Sequence, residues 1–201
     1  VSLGCTDEEL NAVYREREDK RIEPVMVPEG PVQEVVLTGD DIDLYKLPIL
    51  THNALDAGPY VTCGASVTKD PDTGIRNIGV YRHQLHAKNK LGIHMSEASH
   101  VNYIYGKYEA MGKDMPIAIT IGHHPAFYLG CLSFAPVGVD EYGVAGALMD
   151  QPLELVKCRT CDLEVPAEAE IVLEGYVSAT ERQMEAPFGE FTTMYGGPHM
   201  Y

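Results

Sequence analysis

The sequence predicts an α+β fold with many short strands and a few helices. Short runs rich in β-branched residues recur along the 201 residues, and turns containing Gly or Pro separate them. Two or three other segments place apolar side chains at helical spacing. With 45% hydrophobic and 22% charged residues, a chain of this length has the composition of a soluble globular protein that buries a substantial core.

The first element is predicted to be a helix that begins after Thr6 and runs to about Lys20. Thr is a typical capping residue, and acidic residues follow it in the first turn. Prolines at positions 24, 28 and 31 then indicate a stiff connector. We expect residues 1–24 to be a helical leader from a preceding domain or linker, and residues 25–201 to form the main domain.

Strands are expected where alternating or β-branched residues follow a turn. The clearest is residues 76–85, because residues 70–74 before it have Pro and Gly where a hairpin turn needs them. The other predicted strands are residues 32–37, 60–67, 117–121, 153–157 and 171–177. A helix is predicted after a cap at Ser96 or Ser99, and a shorter one at residues 126–130. The small residues 143–148 are suited to close packing.

The charge balance limits the partners of this chain. It carries 30 acidic and 15 basic residues, a formal net charge of −15, so we expect no binding to nucleic acid or to anionic membranes. No apolar run approaches the roughly 20 residues of a membrane span, and no targeting signal is recognisable, which favours a cytoplasmic protein. A phosphorylated ligand would need local positive charge from Arg, a helix N-terminus or a metal ion.

Five cysteines, an odd number without a secretory signal, indicate reduced thiols. Cys158 and Cys161 have the spacing of zinc ligands or of a redox pair. No second Cys pair or Cys/His pair completes a tetrahedral site, so we expect neither function from this motif.

Asn77 and Arg82 bracket an apolar strand segment with two polar groups. Asn77 offers an amide oxygen, and Arg82 offers a charged fork of donors suited to carboxylate or phosphate. Their odd separation places them on opposite faces of a regular strand, so a bulge or a strand end must intervene if they share a site. The alternative is a surface Arg and a turn Asn.

A cation site is the first hypothesis that joins distant segments. His100 begins the helix that Ser96 or Ser99 caps, where free backbone N–H groups favour anions. Asn77, His100 and Glu141 together offer an O, N, O set that Mn²⁺ accepts, with water or phosphate oxygens in the remaining positions. Taken singly, His100 is more typical of a structural histidine and Glu141 of a solvated acid.

A second hypothesis concerns Glu185 and Glu190, which lie five residues apart across a Pro-Phe-Gly bend. If the bend turns both carboxylates toward one point, their like charge raises the pKa of one of them. That carboxyl group could then donate a proton near neutral pH while Arg82 holds the other ionised. The alternative is two exposed acids in an acidic chain.

Several sequence blocks carry a resemblance to a known family. They are residues 77–85 (NIGVYRHQL), 88–91 (KNKL), Glu141 with 143–146 (GVAG), 156–158 (VKC), 162–167 (DLEVPA), 170–176 (EIVLEGY) and 186–190 (APFGE). In this order, from about residue 32 to the C-terminus, they closely resemble the UbiD family. Its members are reversible decarboxylases of aromatic and α,β-unsaturated acids that use prenylated FMN.

The resemblance implies a split β-barrel of the flavin-reductase type with a few flanking helices. It also implies Mn²⁺ held by Asn77, His100 and Glu141 against the cofactor phosphate, with K⁺ nearby. Arg82, Glu185 and Glu190 match the catalytic positions, with Glu190 as the proton donor. The implied cofactor-binding positions are Asn77, Val80, Tyr81, Arg82, His94, Met95, Ser99, His100 and Glu141.

The same resemblance implies that a flavin prenyltransferase supplies the cofactor and that the full-length form is a homo-oligomer. It also implies an aromatic or unsaturated carboxylic acid as substrate, and hydroxybenzoates are the first candidates. The C-terminal family domain is expected to be absent from this chain. Two alternatives remain open: an FMN-binding split-barrel oxidoreductase, and an inactive cofactor-binding or assembly module. The oxidoreductase would leave the Glu185 and Glu190 pair unexplained.

Overall fold

A five-stranded antiparallel sheet organises the fold in the computed structural model, which describes residues 3–200 except the side chain of His199. Its strands, from one edge to the other, are β4 (Lys90–Leu91), β3 (Arg76–Ala87), β2 (Tyr60–Lys69), β5 (Met115–Ile121) and β8 (Ile171–Val177). The sheet curls into a half barrel. The split-barrel type remains a prediction.

Smaller sheets complete the β structure. A three-stranded sheet contains β1 (Val25–Met26), β6 (Glu154–Lys157) and β7 (Glu164–Pro166), with β6 in the centre and β1 parallel to it. Near the C-terminus, β9 (Met184–Glu185) pairs with β12 (His199–Met200), and β10 (Phe188–Gly189) pairs with β11 (Tyr195–Gly196).

In the described part of the chain, four α-helices lie among these strands: α1 (Leu10–Glu18), α2 (His100–Ala110), α3 (Pro125–Cys131) and α4 (Glu141–Met149). Short 3₁₀ turns occupy Pro31–Gln33, Gly39–Asp41 and Leu44–Lys46. Within residues 3–200, no helix is long and apolar enough to cross a membrane.

The core divides into clusters on the two sides of the large sheet. The largest cluster packs Ile78 of β3 against Phe127 of α3 and Tyr142 of α4. A second cluster packs α2 against the sheet, and Tyr81 contacts it. Successive side chains along a strand point to opposite faces of the sheet, so Ile78 and Tyr81, three positions apart on β3, pack on opposite faces. Each fully buried apolar side chain contributes about 1.5–3 kcal/mol, so both helix layers are firmly attached to the sheet.

The predicted hairpin is confirmed in its turn and in its strands. The Asp70 N–H donates to the Ile75 carbonyl at 2.9 Å, and Gly74 N–H donates to the Asp70 carbonyl at 2.8 Å. Gly74 has φ of 71°, a backbone conformation that glycine adopts at no steric cost. The predicted strands at residues 60–67, 76–85, 117–121, 153–157 and 171–177 are also observed, with bounds that shift by a few residues at most.

The predicted strand at residues 32–37 is wrong. The segment begins as a 3₁₀ turn and continues without strand pairing, and Val35 and Leu37 are 72% and 59% exposed. The Val32 N–H donates to Ala167 O, which holds the segment against the residue after β7 instead of against a neighbouring strand. A β-branched run favours extended backbone, but a strand also needs a partner for its hydrogen bonds.

The prediction that Thr6 caps the first helix is also wrong. The Thr6 N–H and Oγ1 both donate to Glu9 Oε2, at 3.1 and 2.9 Å, and α1 begins only at Leu10. The helix packs against α4, where Arg17 Nη1 donates to the Leu148 carbonyl at 3.0 Å. The division into leader and main domain remains a prediction.

Candidate active site

Arg82 of β3 is the centre of a network of charged side chains. Its Nε donates to Glu185 Oε1 at 2.6 Å, and its Nη2 donates to Glu185 Oε2 at 2.9 Å. Its Nη1 donates to Glu190 Oε1 at 2.5 Å. His94 Nδ1 lies 2.9 Å from both Arg82 Nη2 and Glu185 Oε2. The structure therefore brings together the three predicted catalytic residues and His94.

The local backbone explains how β3 and the C-terminal segment meet. The pairing of β2 with β3 shifts register between Val61 and Gly64, so a bulge in β2 lies opposite Arg82. The extra residue belongs to β2 and not to β3, so this bulge is not the one that a shared site of Asn77 and Arg82 would need. The C-terminal segment is fixed by Ala186, whose N–H donates to Gln84 Oε1 at 3.2 Å and whose carbonyl accepts from Tyr60 Oη at 3.1 Å.

Phe188 completes this network and was not predicted. The Arg82 guanidinium lies over the Phe188 ring, 5.0 Å from its centroid, which adds a cation–π attraction to the ion pairs. Phe188 also lies 4.7 Å from the Tyr60 ring and meets the His52 ring edge-on at 6.5 Å, so it packs against the large sheet and the segment before β2. Its position in the Pro-Phe-Gly bend between the two acids was the available sequence signal.

The two acids differ in environment. The Glu185 side chain is 8% exposed and the Glu190 side chain 36%. Burial raises the pKa of Glu185, but hydrogen bonds and charge from Arg82 and His94 outweigh it and hold the pKa below its usual value. Burial lowers the pKa of Arg82, yet the two carboxylates raise it further, so the guanidinium stays charged. The raised pKa predicted for one of the acids does not fall on Glu185.

Asn77 and Glu141 form a second polar pair, at the start of β3. Asn77 Nδ2 donates to Glu141 Oε1 at 2.9 Å, and the Ile78 N–H donates to Glu141 Oε2 at 2.8 Å. Glu141 is the first residue of α4 and is 3% exposed. Burial raises its pKa to about 7, although both hydrogen bonds oppose the shift.

This pair fits a hard cation. The Asn77 side chain is buried, and its Oδ1 has no hydrogen-bond partner among the described residues. An unpaired buried amide oxygen next to a buried carboxylate costs free energy that a bound cation would relieve. Oxygen donors of this type are the ligands that Mn²⁺ accepts.

His100 lies at the first position of α2, as predicted. Ser99, and not Ser96, caps this helix, because its Oγ accepts from the Asn102 N–H at 3.4 Å. In the described part of the chain, no hydrogen bond joins His100 to Asn77 or Glu141. The structure places Asn77 and Glu141 in contact, and His100 as the third metal ligand stays a prediction.

Tyr81 links the start of α2 to the neighbourhood of Glu141. Its hydroxyl accepts from the Val101 N–H, and burial together with the nearby Glu141 charge raises its pKa to about 12. The ring lies against Gly79, where a Cβ would meet Tyr81 Oη at 2.6 Å, so only glycine leaves the ring this space. The two remaining predicted cofactor contacts pack against different core clusters, Val80 against the largest and Met95 against that of α2.

A cavity of about 810 Å³ adjoins the Arg82 network. His94, Met95 and Glu185 are among its lining residues, together with apolar side chains of β5 and β8. A volume of this size is typical of sites for small molecules or cofactors.

A comparison with protein families gives this geometry its context. The sequence profile described as the 3-octaprenyl-4-hydroxybenzoate carboxy-lyase Rift-related domain of UbiD matches residues 24–201. The chain belongs to the UbiD family. A relative from Aquifex aeolicus (strain VF5), described as an uncharacterized protein, is 46% identical over 173 residues, which are 86% of this chain and 35% of that protein.

Solved structures of UbiD-class enzymes share the fold. HmfF from Pelotomaculum thermopropionicum, in complex with FMN, superposes with a TM-score of 0.95 at 40% identity over 99% of this chain and 45% of its own. An evolved dimeric form of HmfF with prFMN gives the same TM-score. Klebsiella pneumoniae 3,4-dihydroxybenzoic acid decarboxylase, AroY, gives 0.90 at 32% identity over 98% of this chain and 44% of its own. The chain thus spans less than half the length of these relatives.

Proposed function

We propose that this chain is the cofactor-binding part of a prenylated-FMN-dependent carboxy-lyase, with an aromatic or α,β-unsaturated carboxylic acid as substrate. The observation that carries the proposal is the network in which Arg82 pairs with both Glu185 and Glu190. Decarboxylation of such an acid needs a cationic group for the carboxylate and a proton donor for the carbon that loses CO₂. The relatives that bind FMN or prFMN support a flavin site.

The roles of the two acids follow from their surroundings. Glu185 is buried and held ionised by Arg82 and His94, so its part is to fix the orientation of the guanidinium. Glu190 has one hydrogen bond from Arg82 and is partly exposed, so solvent reaches its carboxyl group. We therefore assign proton donation to Glu190, whose carboxyl proton passes to the substrate carbon after CO₂ departs.

The other predicted residues would hold the cofactor. Asn77 and Glu141 would offer oxygen ligands to Mn²⁺. His100 would offer a nitrogen ligand, and the ion, together with K⁺, would supply positive charge for the cofactor phosphate. Val80, Tyr81, His94, Met95 and Ser99 would line the flavin site. When bound, the prenylated flavin supplies an electron sink for the bond that breaks as CO₂ leaves.

The wider setting follows from the same proposal. A flavin prenyltransferase would supply the cofactor, the full-length enzyme would be a cytoplasmic homo-oligomer, and hydroxybenzoates are the first substrates to test. One solved HmfF form is described as dimeric, which supports an oligomer.

The test is reconstitution of the chain with Mn²⁺ and prenylated FMN, followed by measurement of CO₂ release from a panel of aromatic and acrylic acids that includes 3,4-dihydroxybenzoate. We expect CO₂ release from at least one acid, lost on Glu190→Gln while the flavin is retained. Glu8→Gln, an exposed acid outside both the network and the cavity lining, is the matched control. Flavin reduction by NAD(P)H without CO₂ release would instead identify an oxidoreductase, and failure to retain flavin would indicate an assembly module.

A further inference from the structure

The turn between β6 and β7 brings together two cysteines that the proposed function leaves unused. Cys158 directly follows β6, and its N–H donates to the Leu163 carbonyl at 2.9 Å, which closes the turn. Cys161 lies within the same turn, in hydrogen-bond contact with the Cys158 thiol, and its sulfur accepts from the Leu163 N–H. The two thiols therefore point to the same side of the turn.

Glu174 of β8 supplies a third group at this turn. Cys158 Sγ, Cys161 Sγ and a Glu174 carboxylate oxygen all lie within 4.8 Å of one another. The Glu174 carboxylate accepts from the backbone N–H groups of Arg159 and Thr160, at 2.9 and 2.6 Å, so it is fixed over the turn. The sequence motif alone lacked a third ligand, and the fold provides one from a strand 13 residues after Cys161.

We propose that Cys158, Cys161 and Glu174 bind Zn²⁺. Thiolate sulfur and carboxylate oxygen are both normal zinc ligands, and three protein ligands with a fourth open position form a tetrahedral zinc site. The three residues are only partly buried, so an ion can reach them from solvent. The Glu174 carboxylate also accepts a hydrogen bond from the Cys158 thiol, and the lone pair that takes it becomes available to the metal once the thiol releases its proton.

Binding at this site is an exchange of protons for a metal ion. Each thiol that ligates Zn²⁺ releases its proton to solvent, and no electrons are transferred. The ion would connect the β6–β7 turn to β8 and so join the small sheet to the edge of the large one. It would be separate from the Asn77 and Glu141 pair, which offers oxygen ligands only.

The test is titration of the reduced, metal-free chain with Co²⁺ as a spectroscopic probe for Zn²⁺. We expect one Co²⁺ per chain with a thiolate-to-cobalt absorption band, displaced by added Zn²⁺. Cys158→Ser and Cys161→Ser should each abolish the band, whereas Cys63→Ser, which removes an exposed thiol elsewhere, should leave it unchanged. Loss of even an outer-shell partner typically weakens metal binding about 10- to 100-fold, so Glu174→Gln should weaken Co²⁺ binding by at least about tenfold.

Circular dichroism of each variant separates loss of the site from loss of the fold. The proposal is overturned if the folded, reduced wild-type chain gives no thiolate-to-cobalt band, or if the band persists without Cys158 and Cys161. It is also overturned if Glu174→Gln binds Co²⁺ as tightly as the wild type, because the carboxylate would then be only a hydrogen-bond acceptor for the turn.

Discussion

Arg82 and Glu185 face each other through two parallel hydrogen bonds, Nε to Oε1 at 2.6 Å and Nη2 to Oε2 at 2.9 Å. The two residues lie 103 positions apart in the sequence. This two-point geometry uses the planar fork of the guanidinium, which a lysine ammonium lacks. It leaves Nη1 of Arg82 for Glu190, so a single side chain orients both acids.

We expect Arg82→Lys to retain the positive charge but lose this orientation. CO₂ release by the reconstituted chain should fall at least about 100-fold, the scale of a misplaced general acid. The free energy of unfolding should fall by about 1–3 kcal/mol, because hydrogen bonds to charged groups are lost. Arg15→Lys is the matched control, since Arg15 lies exposed on α1, outside the network and the cavity lining. Equal CO₂ release by the wild type and Arg82→Lys would contradict the assignment.

The pH dependence of Glu185→Gln should reveal the ion pair in the folded state. The folded-state pKa of Glu185 lies below its ordinary value of 4.5, so its ionisation stabilises the fold above pH 4.5 and this contribution disappears as the pH falls. We expect the wild type to exceed Glu185→Gln in unfolding free energy at pH 6, and the difference to shrink by pH 3. Urea unfolding at both pH values measures the difference in unfolding free energy between the two proteins. A difference that does not change with pH would show that the Glu185 charge does not stabilise the fold.

Glu141 should show the opposite pH dependence in the metal-free chain. Its pKa is raised from 4.5 to about 7, so the folded state binds the proton more tightly than the unfolded state, and stability is lost as the pH rises through this interval. A shift of this size corresponds to about 3 kcal/mol. Relative to Glu141→Gln, the unfolding free energy of the wild type should therefore fall by about that amount between pH 4.5 and pH 8.

Added Mn²⁺ should reverse this loss, because a cation favours the ionised carboxylate. The wild type should gain stability with Mn²⁺ at pH 8, whereas Glu141→Gln and Asn77→Ala should gain less. Asn11→Ala, a change on exposed α1 surface, serves as the control for Asn77→Ala. Equal Mn²⁺ stabilisation of all four proteins would exclude this pair as the metal site.

The contact between α3 and α4 permits a matched pair of glycine substitutions. A Cβ at Gly130 would lie 2.6 Å from Ala145 Cβ, so Gly130→Ala must push the helices apart and should cost about 1–3 kcal/mol. Because α4 begins at Glu141, this variant should also bind Mn²⁺ more weakly. A Cβ at Gly106 of α2 would meet nothing within 4 Å, so Gly106→Ala should stabilise the chain by about 0.5–1 kcal/mol. Thermal unfolding compares the stabilities of Gly130→Ala and Gly106→Ala. Equal changes in stability would contradict the close packing of α3 against α4.

Local signals predicted most of the secondary structure. The Gly74 turn and the strands on either side of it are specified by residues within a few positions of one another. The same is true of the Ser99 cap, whose partner Asn102 is three residues away. The incorrect strand at residues 32–37 shows the limit of such signals, because whether an apolar run pairs depends on a neighbour that propensity does not name.

The sequence by itself determined the α+β class, the hairpin that carries Asn77 and Arg82, and the motifs that match the family. Only the tertiary structure decided which polar groups meet: Arg82 with Glu185, Asn77 with Glu141 across 64 positions, and Glu174 with the two cysteines. The physical reason is the sequence separation of the groups that interact. Turns and caps are closed by hydrogen bonds between near neighbours, whereas contacts between distant side chains depend on strand register, on the bulge opposite Arg82 and on helix packing, which exist only once the whole chain has folded.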